Sequence, residues 1–231
     1  ANRKPMPDDM AEQLPVIKRI LDLMNIPVLE KTGYEADDII ATVASKAIED
    51  GREVCVVTSD KDALQLVSDH IRVLSPSPYG EKLYDAGVVA EKYGVEPSSM
   101  AEYMALAGDS SDNIPGVKGV GKVTARKLIS EYGDIDSLYD NLDKVSPSIR
   151  KKLEAGREDA FLSRELAVLN TEVPIKVDIS GMTPGEVDKK ELADAFRELE
   201  FTKLLMEIVP EGADKGDYEE DVAPSRLKDL V

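Results

Sequence analysis

Apolar residues recur at Met10, Leu14, Ile17, Leu21 and Met24, three- and four-residue spacings that predict a helix with one apolar face. Pro15 either kinks that helix or opens a shorter one, because proline lacks the N–H an interior turn needs. Ile26 to Leu29 is expected to be a short strand. A second helix is expected from about Tyr34 to Glu49, burying Ile39, Ile40, Val43, Ala44, Ala47 and Ile48 and ending at Gly51. Glu53 to Thr58 is an apolar, β-branched run, the pattern of a strand buried on both faces of a parallel sheet. A helix through Leu64, Leu66 and Val67 follows, then a strand at 71–74 and a turn from Pro76 to Gly80.

From about Val88 the strand signals stop. Helices are expected at 86–93, 97–107, 122–132, 134–141, 146–155, 158–169 and 188–207. The alternation followed by helices predicts an α/β fold, a mostly parallel sheet flanked by helices, with a C-terminal helical lobe. Residues 1–209 are expected to form the folded part, with the α/β portion in 1–100 and the helical portion in 101–209. Residues 211–225 have almost no apolar content, so 210–231 reads as an acidic linker toward a following domain.

Composition adds bounds. A chain of 231 residues with 42% hydrophobic content can bury one core with a smaller appended lobe. No apolar run approaches the roughly 20 residues that span a bilayer, and ANRKPMPDD lacks the apolar core of a signal peptide. The expectation is a monomer in the cytoplasm, without a membrane partner. The single cysteine, Cys55, excludes an internal disulfide and is expected to be buried. A start at Ala1, without Met and without a strand before the first helix, suggests an internal fragment. The net charge of −17 argues at first sight against a polyanionic partner. Screening limits surface fields to roughly 8 Å at physiological salt, so a local basic face decides contact with phosphate more than the total does.

The acids themselves form three clusters: Glu35, Asp37 and Asp38 at a helix start, Asp60 and Asp62 at a strand end, and Asp109 and Asp112 before a glycine-rich turn. Acids favour helix N-termini and turns, so each cluster alone has an ordinary structural explanation. Their placement argues for more. The first cluster sits opposite a strongly apolar helix face, and the second lies where ligands of open parallel sheets sit, beyond the strand ends. Two unit charges 4 Å apart repel by about 4 kcal/mol at an effective dielectric of 20, so seven carboxylates in one cleft would need protons or cations. All-oxygen donors without His or Cys favour Mg²⁺ or Mn²⁺ over Zn²⁺. Two such ions could activate water and stabilise a leaving oxygen in phosphodiester cleavage. His70 joins no cluster and is expected at the surface.

Gly116-Val-Lys118-Gly119-Val-Gly121 precedes a helix carrying Lys122, Arg126 and Lys127. Glycines at a helix start can bring amides and a positive helix end to a phosphate, although they could equally make a tight turn between helices. Helices on both sides exclude a dinucleotide-binding strand-turn-helix.

Four stretches, GYEADDIIATVA (33–44), VVTSDKDALQLV (56–67), GDSSDNIPGVKGVGKVTARKL (108–128) and LSRELAVLNTEVPI (162–175), resemble in order and spacing the 5′ nuclease domain of bacterial DNA polymerase I, similar to the flap endonuclease family. The resemblance covers about residues 1–209. It implies a PIN-like sheet and a helix-hairpin-helix element. It also implies metal binding by Glu35, Asp37, Asp38, Asp60, Asp62, Asp109 and Asp112, with two Mg²⁺ or Mn²⁺ ions. By the same resemblance Gly116, Lys118, Gly119, Gly121, Lys122, Thr124, Arg126 and Lys127 match the hairpin that holds the duplex backbone, commonly with a K⁺ ion. Arg3 and Lys4 match the end of a helical arch that passes the 5′ single strand. The implied partner is DNA with 5′ flaps, nicks or RNA primers, in a nucleoid-associated bacterial protein that continues into proofreading-type and polymerase domains. Two departures stand out. The family's first strand and most arch residues, with two further aspartates, are absent before Ala1, and the family usually places Lys where Val123 stands. Two other readings remain at this point: a DNA-binding fragment that cannot cut, and a metal-dependent phosphohydrolase of small molecules.

Overall fold

The computed structural model describes residues 6–183 and 185–208. They fall into two compact units, residues 30–179 and the pairing of 6–29 with 180–208. In the larger unit, helix α2 (Ala36–Glu49) packs on strand β1 (Val54–Val57), and Gly51 ends the helix with φ of 73°. β1 pairs in parallel with β2 (Ile71–Ser77), and β2 pairs antiparallel with β3 (Gly80–Tyr84), in the order β1-β2-β3. The expected turn at 76–80 is thus a hairpin, and β3 is a strand the apolar pattern did not announce, since only its Tyr84 is buried.

The helical part follows as α3 (Ala86–Tyr93), α4 (Met100–Ala107), α5 (Lys122–Tyr132), α6 (Ile135–Asp140), α7 (Pro147–Ala155) and α8 (Arg157–Ala167). Asp85 caps α3 and Asp134 caps α6, each carboxylate accepting an N–H from the helix's first turn. α4 is the hub. Its Met100, Met104 and Leu106 are fully buried, and it packs against both α5 and α8. One apolar cluster runs from Val56 and Val73 of the sheet through α4 to Leu128, Leu138 and Leu153, so sheet and helices of this unit share a core.

In the smaller unit, α1 (Asp8–Leu23) runs unbroken through Pro15 and packs with α9 (Lys189–Glu198) and α10 (Thr202–Ile208). The side chains meeting Leu192 and Phe196 are Ile20, Leu23 and Met24, whereas Met10, Leu14 and Ile17 are exposed. The apolar stripe expected to be the packing face is therefore largely open. The expected helix at 188–207 is divided, because Glu200 adopts φ of 58° and ends its first half.

Three other expectations need correcting. Ile26 to Leu29 forms no strand; a turn at Asn25 precedes it, and Ile26 and Val28 are exposed. β1 is buried on one face only: its side chains alternate, with Val56 inward and Cys55 and Val57 exposed. The helix expected through Leu64 is a single 3₁₀ turn, Asp62–Leu66. His70 is on the surface as expected, beside Glu53. No helix among the described residues is long and apolar enough to cross a membrane. Arg3, Lys4 and the segment from 209 onward lie outside the described residues.

Candidate metal centre and nucleic-acid interface

The chain leaves β1 with Thr58 still bonded to β2, its N–H donating to Leu74 O, and then turns sharply. Thr58 Oγ1 accepts the Asp60 N–H at 3.0 Å, and Asp60 Oδ1 accepts the Asp62 N–H at 3.0 Å. These two side-chain turns set Asp60 and Lys61 on a cleft also lined by Asp37, Thr58, Ser59, Ser111 and Asp112, with Asp62 beside it. The opposite wall is a loop after α4. Asp109 and Ile114 exchange both backbone hydrogen bonds, closing residues 109–114 into a tight hairpin with Asn113 at φ of 57°. Asp112 thus faces the same cleft from a closed loop, with Asp109 buried at the loop's base.

Asp60, Asp62 and Asp112 each place a carboxylate oxygen within 4.8 Å of the others. Oxygens on opposite sides of one Mg²⁺ stand about 4 Å apart, at 2.0–2.1 Å each, so a small closure would let these three share one ion. Asp62 Oδ1 is buried without a hydrogen-bond partner among the described residues. A buried, unpartnered carboxylate oxygen close to two other carboxylates suits a hard divalent cation. The donor set therefore fits a divalent metal.

The electrostatics agree. Burial, then Asp60 and Asp112, push the Asp62 carboxyl up to about 7, with Lys61 only partly opposing them. Burial and then Asp60, Glu35 and Asp38 raise Asp37. Asp112 is raised by the hydrogen bond it shares with Asp109 and by burial. Asp109 goes the other way. Burial favours its neutral form, but the Lys61 ammonium and the Ser111 N–H outweigh it and hold the carboxyl well below the usual range.

The remaining expected ligands are placed differently. Glu35 precedes α2 without capping it, and its charge is felt at Asp37. Asp38 accepts the Asn170 N–H at 2.9 Å, which ties it to the chain after α8. That tie is one of three. Ser163 Oγ accepts the Gly116 N–H at 2.9 Å, and Gln65 bonds both Ala167 O and the Leu169 N–H. Thr42 adds bonds to Asn170 O and the Val173 N–H. The segment 163–173 thus braces all three acid-bearing elements, a role that the polar residues Ser163 and Asn170 in an apolar stretch hinted at. Lys61 carries no signal in the sequence beyond its position between Asp60 and Asp62, yet it lines the cleft.

The glycine turn divides by residue. Gly116 and Gly108 pack backbone to backbone: a Cβ on Gly116 would lie 2.3 Å from Gly108 N, and both have φ near the left-handed region, 60° and 70°. With its N–H donated to Ser163, Gly116 is a packing residue. Val117 N–H is likewise used, by Leu106 O. Gly119 bends at φ of 84°, and its carbonyl accepts from Lys152 Nζ at 2.9 Å. Gly121 stands just before α5 without a side-chain cap, so the amides of the first turn of α5 point out of the helix end. Lys118, Lys122 and Lys127 are exposed around that end, Thr124 is half-buried, and Val123 is 79% exposed. Arg126 is engaged elsewhere, its Nε donating to Tyr93 O at 2.7 Å while its chain covers Gly94.

Comparison with known proteins puts these features in context. Residues 1–94 match the family model described as the 5′-3′ exonuclease N-terminal resolvase-like domain, and residues 95–190 that of the 5′-3′ exonuclease C-terminal SAM fold. The chain is 42% identical over 212 residues to DNA polymerase I of Caldicellulosiruptor bescii, covering 90% of this chain and 25% of that protein. It is 45% identical over 208 residues to the thermostable DNA polymerase I of Thermus aquaticus, with 90% and 24% covered. The chain thus spans about a quarter of the length of these relatives. Among solved structures, T5 5′-exonuclease with bound zinc superposes at a TM-score of 0.62 and 22% identity, covering 90% of this chain and 73% of the other. The catalytic core of Rad2 with a DNA substrate does so at 0.60 and 19%, covering 90% and 72%. Both likenesses are of fold.

Proposed function

Since the chain belongs to the 5′-3′ exonuclease family, with its two halves matching that family's two domains in order, we propose that it is a Mg²⁺-dependent nuclease domain. In this reading it hydrolyses DNA phosphodiesters near the junction of a 5′ flap or nick with duplex. The observation that carries the reading is the convergence of Asp60, Asp62 and Asp112 with an unpartnered buried oxygen on Asp62. Divalent ions held there would supply a polarised water and neutralise charge on the leaving 3′ oxygen. The protein's own part is positional. Asp60, Asp62 and Asp112 hold cations, Asp37 adds negative charge at the rim, and the segment 163–173 keeps the three acidic walls in register. The exposed start of α5, with Lys118, Lys122 and Lys127, grips the duplex backbone without reading bases. Gly116 and Arg126 serve this grip indirectly, by fixing the turn and the seat of α5. A K⁺ ion at this turn would add a further contact to the duplex backbone.

In a full-length relative this activity would remove RNA primers and excise damaged strands ahead of a polymerase, inside the bacterial cell. The test is incubation of this chain with a 5′-labelled flap duplex and Mg²⁺. Products that appear only with Mg²⁺ and that map to the flap junction are expected. Binding without cutting would leave a DNA-holding module, and cleavage of small phosphoesters with indifference to DNA would reassign the cleft.

A further inference from the structure

Resting on that reading of the cleft, we propose that Lys61 is a built-in counter-cation of the metal centre: its ammonium holds Asp109 in the metal-free protein and must release it when divalent ions fill the site. Lys61 thereby sets the affinity of the site for divalent ions. It is a positioning residue, acting through Asp109.

Among the described residues, Lys61 is the single base lining the cleft. A lysine in a surface turn would ordinarily extend its ammonium into water, where hydration is strongest. Here the side chain is only 31% exposed and ends on Asp109, whose side chain is 5% exposed. Asp109 Oδ1 is already filled, accepting the Ser111 N–H at 3.0 Å and the Ser111 hydroxyl at 3.1 Å. Lys61 forms an ion pair at the other oxygen, Oδ2, which is buried and has no hydrogen-bond partner among the described residues, so the ammonium is what balances it. Asp62 Oδ1 is likewise buried without a hydrogen-bond partner, and among the described residues no ion pair reaches it. The acids at the cleft therefore divide into three that converge within 4.8 Å, Asp60, Asp62 and Asp112, and a fourth, Asp109, paired with an ammonium.

Two consequences follow from one charge. In the absence of metal, Lys61 offsets part of the repulsion among Asp60, Asp62, Asp109 and Asp112. In its presence, the same charge opposes the incoming ion. A unit charge a few ångströms from a divalent cation, even at the high effective dielectric of a partly exposed site, alters binding by roughly tenfold or more. A lysine serving only to pack the turn would show the first effect without the second. One placed to contact a substrate phosphate would show neither on metal binding.

The test is calorimetric titration of Mn²⁺ into this chain, into Lys61→Met and into Lys61→Arg, without DNA. Lys61→Met should bind Mn²⁺ roughly tenfold or more tightly and melt at a lower temperature in EDTA, and Lys61→Arg should restore both toward the original. Unchanged or weaker Mn²⁺ affinity in a folded Lys61→Met protein would overturn the proposal. A second measurement needs no substitution: the rate at which an amine-directed reagent labels Lys61, read by mass spectrometry, should rise as Mn²⁺ saturates the protein. Labelling that stays constant or slows would equally overturn it. If the unaltered chain binds no Mn²⁺ at all, the metal reading itself falls, a result distinct from metal binding that is indifferent to Lys61.

Discussion

Asp62→Asn should make the metal-free protein more stable while removing its response to metal. Asp62 shares the cleft with two carboxylates no more than 4.8 Å away. At an effective dielectric of 20, each such pair repels by at least about 3 kcal/mol, and Lys61 cancels part of this. The carboxyl is accordingly raised from 3.8 to about 7, first by burial. A carboxyl whose folded pKa lies above its unfolded value binds more protons in the folded state between those values. Stability therefore falls as pH rises from about 4 through about 7, and the full penalty is present above 7. Discounted for the partial exposure of the cleft, that penalty is about 2 kcal/mol, or roughly 4–8 °C in melting temperature for a chain of this size. Asn keeps the shape and removes the charge. In EDTA, the melting temperature of Asp62→Asn should exceed that of the original by this margin at pH 8, with the gap nearly closed at pH 4.5. Added Mg²⁺ should raise the melting temperature of the original chain at pH 8 and leave the variant almost unmoved. Scanning calorimetry at both pH values, with and without Mg²⁺, reads all four quantities. A variant less stable in EDTA at pH 8 would mean that Asp62 is a structural turn residue and would refute the electrostatic argument.

Other expectations follow from single contacts. Gly116→Ala places a methyl into the Gly108 backbone at 2.3 Å and at φ of 60°, so it should cost about 3 kcal/mol or more, seen as a large fall in urea midpoint. Ser163→Ala leaves the buried Gly116 N–H without its acceptor and should cost about 1–3 kcal/mol by the same measurement. Asp60→Ala should abolish Mg²⁺-dependent cleavage of a flap duplex while leaving the duplex dissociation constant within about twofold; binding lost together with cleavage would place Asp60 in the DNA grip. Replacing Lys118 and Lys122 together should reduce the slope of log binding constant against log salt by about two. An unchanged slope would move the contact off the start of α5.

Much of this was legible in the chain, for identifiable reasons. α3, α5 and α7 lie where their periodicity puts them, because local pattern and tertiary packing agree there. β3 was hidden because one buried residue in five leaves no pattern to read. The apolar run of β1 suggested burial on both faces, yet Cys55 and Val57 are exposed, and an exposed apolar side chain reads the same in sequence as a buried one. The stripe Met10, Leu14, Ile17 on α1 was equally regular, but Ile20, Leu23 and Met24 are the side chains that meet α9. At the site, residue types and spacing announced the acids, and the structure brings Asp60, Asp62 and Asp112 together. What spacing could not supply was division of labour: Asp38 bonded to Asn170, Asp109 held by Lys61, Gly116 packed on Gly108 and Arg126 fastened to α3. Each depends on a partner 30 or more residues away, or on a contact between turns.

The most direct test of the account is diffraction at a wavelength where manganese scatters anomalously, from crystals of this chain grown with Mn²⁺ at pH 8. The account predicts an anomalous peak bounded by Asp60, Asp62 and Asp112, about 2 Å from a carboxylate oxygen of each. A cleft without anomalous density, or a peak elsewhere on the protein with Asp62 Oδ1 still unpartnered, would contradict it.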